Sequence, residues 1–232
     1  MNIRPEIICF DADDTLWVNE TFYQDIERDF IELMARYADR KDITEDIHRR
    51  EVDNLEIYGY GAKGFMLSMI ETALNVSNGR VTAGDLDAII KMGRGLINED
   101  ILLLDGVEET LGKLSNAGYK LIVATKGDLL DQERKLRKSG LSDFFDHIEI
   151  MSFKRSEDYR KLLHNLGVEP FDFLMVGNSM KSDIIPVLEI GGYGIHVPFH
   201  TTWAHEIVED TGGLPNYLEI ENIREMLDIL EV

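Results

Sequence analysis

The stretch "IICFDADDTLWVNE", residues 7–20, sets a continuously apolar run directly in front of a cluster of acids. Ile7 to Phe10 reads as a short strand covered on both faces, the pattern of a parallel sheet. Asp11, Asp13 and Asp14 follow where the chain leaves that strand. Carboxylates this close repel one another, so the crowding calls for a compensating partner. In open α/β sheets, ligands bind outside the carboxyl ends of the strands. The acids fall at such an end.

Working outward, the pattern changes twice. From Asn19 to about Asn98, apolar residues recur at helical spacing, as in Phe22, Ile26, Phe30 and Leu33/Met34, or Leu86, Ile89, Ile90 and Gly93. The breakers "YGYGAKG" and "NVSNGRVTAGD" separate these helices. Beyond "LLLDGV" strands and helices alternate. The strands are "YKLIVAT", "FDHIEIM", "FDFLMVGN" and, last, "YGIHVP". The helices are "GVEETLGKLSNAG" (stopped at Gly118), "DLLDQERKLRKSGL", "SEDYRKLLHNLG", "SDIIPVLEIG" with Pro186 in its first turn, and a closing "ENIREMLDIL". This predicts an α/β fold: a Rossmann-like parallel sheet with helices on both faces, interrupted after its first strand by an all-helical insert. The expected division is a core of 1–16 with 100–232 and a helical insert of 17–99.

The 232 residues suffice for one large domain or a core with an inserted module. With 44 acidic against 24 basic residues, the net charge of −20 repels nucleic acid. No apolar run approaches the roughly 20 residues of a membrane span, and the N-terminus does not read as a signal peptide. The single cysteine, Cys9, excludes an internal disulfide and a Cys-rich zinc site. A cytoplasmic protein without nucleic-acid or membrane partners is expected. On so acidic a chain, a site for an anionic substrate must carry local positive charge, which a metal ion would supply.

Polar clusters stand at four predicted strand ends: "DADDT" at 11–15, "TKGD" at 125–128, Lys154, and "GNSMKSD" at 177–183. In that order they resemble the four motifs of the haloacid dehalogenase-like hydrolases, in their phosphatase branch, and the helical insert resembles that family's cap. The resemblance implies that Asp11 is the nucleophile on phosphorus. Asp13 would protonate the leaving alkoxide and then activate water. Thr125 would bind phosphoryl oxygens, and Lys154 would neutralise charge on the phosphoryl group and on Asp11. It further implies Mg²⁺, held by the Asp11 side chain, the Asp13 backbone carbonyl, Asn178 and Asp183. Many relatives carry Asp where this chain has Asn178, which leaves the metal one charge fewer.

The implied function is a Mg²⁺-dependent phosphomonoesterase working on a small phosphorylated metabolite through an aspartyl-phosphate. Asp13 argues against a haloacid dehalogenase, which needs no leaving-group acid. A phosphomutase with the same nucleophile and a catalytically silent ligand-binding member are the alternatives. Several residues keep two readings. Asp14 reads as a loop or cap residue. Arg155 competes with Lys154, and Trp17 reads as either site rim or core. Tyr58, Tyr60 and Lys63 form a candidate lid loop or a plain link. His196, His200 and His205 fit no zinc spacing. Natural substrate and oligomeric state are not legible.

Overall fold

The computed structural model describes residues 3–201, 203 and 215–232. Its sheet has six parallel strands, β1 (Ile7–Phe10), β2 (Lys120–Lys126), β3 (His147–Met151), β4 (Phe173–Gly177), β5 (Tyr193–His196) and β6 (Tyr217–Glu219), in the order β3-β2-β1-β4-β5-β6. The α/β Rossmann-like class is as expected. Strand β1 lies between β2 and β4, with Ile7 opposite both Lys120 and Phe173. All four of its side chains are fully buried, each worth about 1.5–3 kcal/mol for a large apolar group. That burial anchors a strand whose far end carries mutually repelling acids.

Alternation along the strands feeds two cores. Ile8, Phe10, Val123 and Val176 face α5 (Val107–Asn116), α6 (Leu129–Ser139) and α9 (Glu225–Ile229). Ile7, Cys9, Ala124 and Met175 face α7 (Ser156–Leu166) and α8 (Ile185–Glu189). Helix α5 stops as expected, with Gly118 left-handed at φ 88°, a conformation that Gly takes without steric cost. Pro186 lies in the first turn of α8, after one π-helical turn, Met180–Ile184. One strand escaped the sequence reading: β6 follows "YGIHVP" and pairs with β5. It has only three residues and no fully buried position, so no apolar run announces it.

The chain divides into two compact units. One comprises Met1–Glu20, Ile101–Lys126 and Gln132–Val232; the other comprises Thr21–Asp100 with Gly127–Asp131. The second is built on α1 (Glu20–Met34), α2 (Arg40–Tyr58), α3 (Ala62–Val76) and α4 (Ala83–Asn98). Phe30, Ile43, Met69 and Ile89 are fully buried in its own core. The Thr82 hydroxyl accepts from the Asp85 N–H while the Asp85 carboxylate accepts from the Thr82 N–H, a reciprocal cap that starts α4. Gly93 lets α3 and α4 close up, since a Cβ there would collide with Met66.

The two ends of the helical insertion are pinned together within the first unit. The Val18 N–H donates to Leu102 O at 2.9 Å, and the Leu104 N–H donates to Leu16 O at 2.9 Å. Entry and exit therefore lie side by side, which keeps an insertion of this length cheap in loop entropy.

Asp14 acts as a cap. Its carboxylate accepts from the Asn19 N–H at 2.8 Å and the Glu20 N–H at 2.9 Å, at the start of α1, and its own backbone is left-handed at φ 62°. Burial pushes its carboxyl up to about 8 against the pull of those N–H groups. The folded chain then binds this proton more tightly than the unfolded chain does. The group therefore costs stability as pH rises from an unfolded value near 3.9 towards that raised one. At low pH, where that cost is absent, Asp14→Ala is expected to lower unfolding stability in urea by about 1–2 kcal/mol. Asp14→Asn keeps an acceptor, suits the left-handed backbone, and should stay within about 0.5 kcal/mol at low pH while flattening the pH slope. A steeper slope in the Asn variant would contradict this reading.

Candidate active site

The acids stand where the strand order reverses. Beyond β1 the Asp11 N–H donates to Val176 O of β4 at 2.9 Å, so the loop leaves the sheet at the β1/β4 switch point. Open α/β folds place their ligand crevice at such a point.

Asp11, Lys154 and Asp183 form a buried charged triad. The Lys154 ammonium donates to Asp11 Oδ1, and to Asp183 Oδ1 at 2.6 Å. Burial raises the Asp11 carboxyl well above the usual carboxylate range; Lys154 pulls against it and Asp183 adds to it. Burial by itself would lower the Lys154 ammonium, but the two carboxylates outweigh that and hold it above its ordinary value. With both carboxylates ionised, one cation stands between two anions and the cluster carries one negative charge in excess.

The fourth polar cluster is folded around this triad. Asp183 lies in the π-helical turn, where its Oδ2 accepts from the Ser179 N–H at 3.0 Å. Gly177 at the end of β4 makes the approach possible, because a Cβ there would overlap the Asp183 carboxylate. Thr15 links the loops: its hydroxyl lies 3.1 Å from Asp11 Oδ2 and 3.3 Å from Asn178 Oδ1, and accepts from the Asn178 N–H at 3.0 Å. The Asp11 and Asn178 oxygens thus converge on one hydroxyl.

Asp13 belongs to a second network. Trp17 Nε1 donates to its Oδ1 at 2.7 Å, Lys135 Nζ to Oδ1 and Oδ2 at 2.9 and 3.1 Å, and Gln132 Nε2 to Oδ2 at 3.1 Å. Thr125 joins here, its hydroxyl 2.6 Å from Gln132 Nε2. The site therefore holds one carboxylate on a lysine and a separate carboxylate two residues on. Two such groups can divide nucleophilic and proton-transfer work.

The model of the haloacid dehalogenase-like hydrolase family matches residues 5–191, which take in every one of these groups from Asp11 to Asp183. The chain belongs to the haloacid dehalogenase-like hydrolases. A glyceraldehyde 3-phosphate phosphatase of Pyrococcus furiosus is 24% identical over 193 residues, covering 81% of this chain and 78% of that one. A haloacid dehalogenase-like hydrolase from Xanthomonas campestris, solved by crystallography, superposes with a TM-score of 0.87 at 35% identity, over 99% of this chain and 91% of that one. A HAD-hydrolase from Bacillus subtilis, solved bound to magnesium, gives a TM-score of 0.66 at 21% identity, over 99% and 100% of the two chains.

The remaining candidates of this haloacid dehalogenase-like hydrolase also have places. Arg155 is exposed, opens α7 and stacks on Phe153 at 4.1 Å, so Lys154 alone faces the carboxylates. Trp17 is at once core and site, 1% exposed with its indole N–H on Asp13. His196 Nε2 lies 2.9 Å from the Asn178 carbonyl, a contact in which the ring nitrogen donates, and so steadies that loop. His200 packs against the Phe199 ring at 4.1 Å, and His205 lies outside the described residues. In the helical unit the Tyr58 hydroxyl donates to Glu71 and Lys63 pairs with Asp128. Sequence reasoning passed over Thr15 as a link, and over Gln132 and Lys135 altogether. The last two sit three residues apart on α6, hence on one face of that helix.

Among the described residues, no group of three or more His, Cys, Asp or Glu side chains gathers as a metal nest. The oxygens available are the Asp11 and Asp183 carboxylates, the Asn178 amide and backbone carbonyls. This all-oxygen set suits a hard cation that keeps several waters.

Proposed function

We propose that this hydrolase is a phosphomonoesterase acting on a small phosphorylated metabolite through an aspartyl-phosphate on Asp11, with Mg²⁺ as cofactor and the helical unit as cap. One observation supports it above the rest: a buried lysine bridges Asp11 and Asp183 while Asp13 is held apart in a network of its own. The name of the Pyrococcus relative points the same way and suggests a triose phosphate as a first substrate to try.

In this reading an Asp11 carboxylate oxygen attacks phosphorus in line. As the bond to the leaving oxygen breaks, Asp13 delivers a proton to it. Asp13 then takes a proton from water, the water oxygen attacks phosphorus, and the Asp11 carboxylate is regenerated. Thr125 and the N–H groups of its loop hold phosphoryl oxygens. Lys154 favours the ionised form of Asp11 against its burial and offsets charge on the phosphoryl group. The residues that would hold Mg²⁺ are Asp11, the Asp13 carbonyl, Asn178 and Asp183. Bound there, the ion neutralises phosphoryl charge and fixes the phosphate's orientation.

The test is phosphate release from p-nitrophenyl phosphate and from glyceraldehyde 3-phosphate, with Mg²⁺ and with EDTA. Release that needs Mg²⁺ is expected. Release unaffected by EDTA would remove the metal from the proposal. Folded protein that hydrolyses neither ester would favour the silent ligand-binding reading, and turnover that needs a sugar bisphosphate would favour the mutase.

A further inference from the structure

We infer that Gln132 and Lys135 of α6, together with Trp17, are positioning residues that hold the Asp13 carboxylate in register with Thr125 for proton delivery to the leaving oxygen. This deepens the phosphatase reading and rests on it.

The argument begins with saturation. A carboxylate offers about four lone-pair sites. Asp13 receives four donor contacts: the Trp17 indole and Lys135 on Oδ1, and Lys135 and Gln132 on Oδ2. The donors come from two places in the chain, the turn after β1 and the face of α6. The carboxylate is therefore fixed in position and in rotation about its bond to Cβ; when Asp13 carries a proton one contact opens, and Lys135, which touches both oxygens, keeps the other.

Each donor is itself anchored. Gln132 is 4% exposed, and its Nε2 also reaches Thr125 Oγ1 at 2.6 Å and Lys126 O at 2.9 Å. A buried amide is tolerated only when it is hydrogen-bonded, and this one spends its protons linking the two groups that must work on the same phosphoryl ester. The Lys135 ammonium has three protons, and it lies within hydrogen-bond distance of both Asp13 oxygens and, at 2.7 Å, of Asn19 Oδ1. Its side chain is 13% exposed, so the pair is not a solvated surface bridge of negligible value. Trp17 is fixed by the core around it.

A placement device for a proton donor has a signature that a structural ion pair lacks. An alkoxide leaves poorly and needs its proton in the transition state, whereas p-nitrophenolate leaves readily without one. Displacing Asp13 should therefore penalise alkyl esters selectively in kcat/KM, which reports the step that expels the leaving group; the water step that follows is common to both esters and weighs on kcat for each. The experiment compares kcat and KM of wild type, Gln132→Leu, Lys135→Met and Lys135→Arg on glyceraldehyde 3-phosphate and p-nitrophenyl phosphate with Mg²⁺, with a thermal melt of each variant.

For Gln132→Leu and Lys135→Met, kcat/KM on the alkyl ester should fall by on the order of 10²-fold, the lower range for a general acid. On the aryl ester kcat/KM of the same variants should fall by less than about 3-fold. Lys135→Arg keeps the charge and the donors and should recover most of the alkyl activity. Equal losses on both esters, or full alkyl activity in both apolar variants, would overturn the positioning role and leave the phosphatase reading standing. Wild-type protein inactive on both esters would overturn that reading, and this inference with it.

Discussion

Asp11→Asn is expected to reduce turnover by on the order of 10⁴-fold or more, the scale seen when a catalytic nucleophile is removed, while leaving the protein folded. An amide oxygen of the same shape still reaches Thr15 and Lys154 but cannot open a phosphate ester at a useful rate. The substitution also removes a buried carboxylate that burial already disfavours in its charged form. Its effect on the melting temperature should accordingly be small. Single-turnover phosphate release and a thermal melt on one preparation separate the two effects. A folded Asn variant that kept most of its activity would sink the nucleophile assignment.

The second large effect is on stability. Lys154→Met leaves Asp11 and Asp183 buried without their shared cation. Breaking a buried pair by removing one partner costs about 3–5 kcal/mol, several times a typical surface substitution. The sign of the pH dependence follows from linkage. Without Lys154 the Asp11 carboxyl rises further above its unfolded value near 3.9. The folded state then holds more protons than the unfolded state at every pH between those two values, and stability falls as pH rises through that window. Urea denaturation should show a deficit that is smaller at about pH 5 than at about pH 8, either side of much of that interval. A deficit independent of pH would mean that the carboxylates find other compensation.

Asp11 and Asp183 are residues that the sequence announces, because apolar runs end abruptly in polar clusters at 11–15, 125–128 and 177–183. The parallel sheet was legible for the same reason: fully buried strands need no alternation, and β1, β2 and β4 read as unbroken apolar blocks. Strand β6 was not, being short and only half-buried. The choice between Lys154 and Arg155 also needed coordinates, since neighbouring residues at a helix start point in different directions.

The clasp on Asp13 was hidden more deeply. Its residues come from a helix that the sequence shows only as charged and amphipathic. A clue did exist in the inverted burial of the first turn of α6: Leu129 and Leu130 are 57% and 65% exposed, whereas Gln132 is 4% exposed. Polar groups directed inward at the start of the helix, where leucines face water, were the one sign of that contact. Reading that from sequence would require knowing which face of α6 meets the sheet.

The helical unit has one further consequence, for recombination between relatives. Its entry and exit are tied at residues 16–18 and 102–104, so these look like natural crossover points for exchanging α1–α4. The compact unit nevertheless claims Gly127–Asp131 as well, where Lys63 pairs with Asp128 at 2.8 Å and a Cβ on Gly61 would press on the Asp128 backbone at 3.3 Å. A chimera cut only at the two obvious points would carry the four helices and leave their fifth segment behind. Inheritance of a matched pair, 17–103 with 127–131, is the smallest exchange that keeps the module whole.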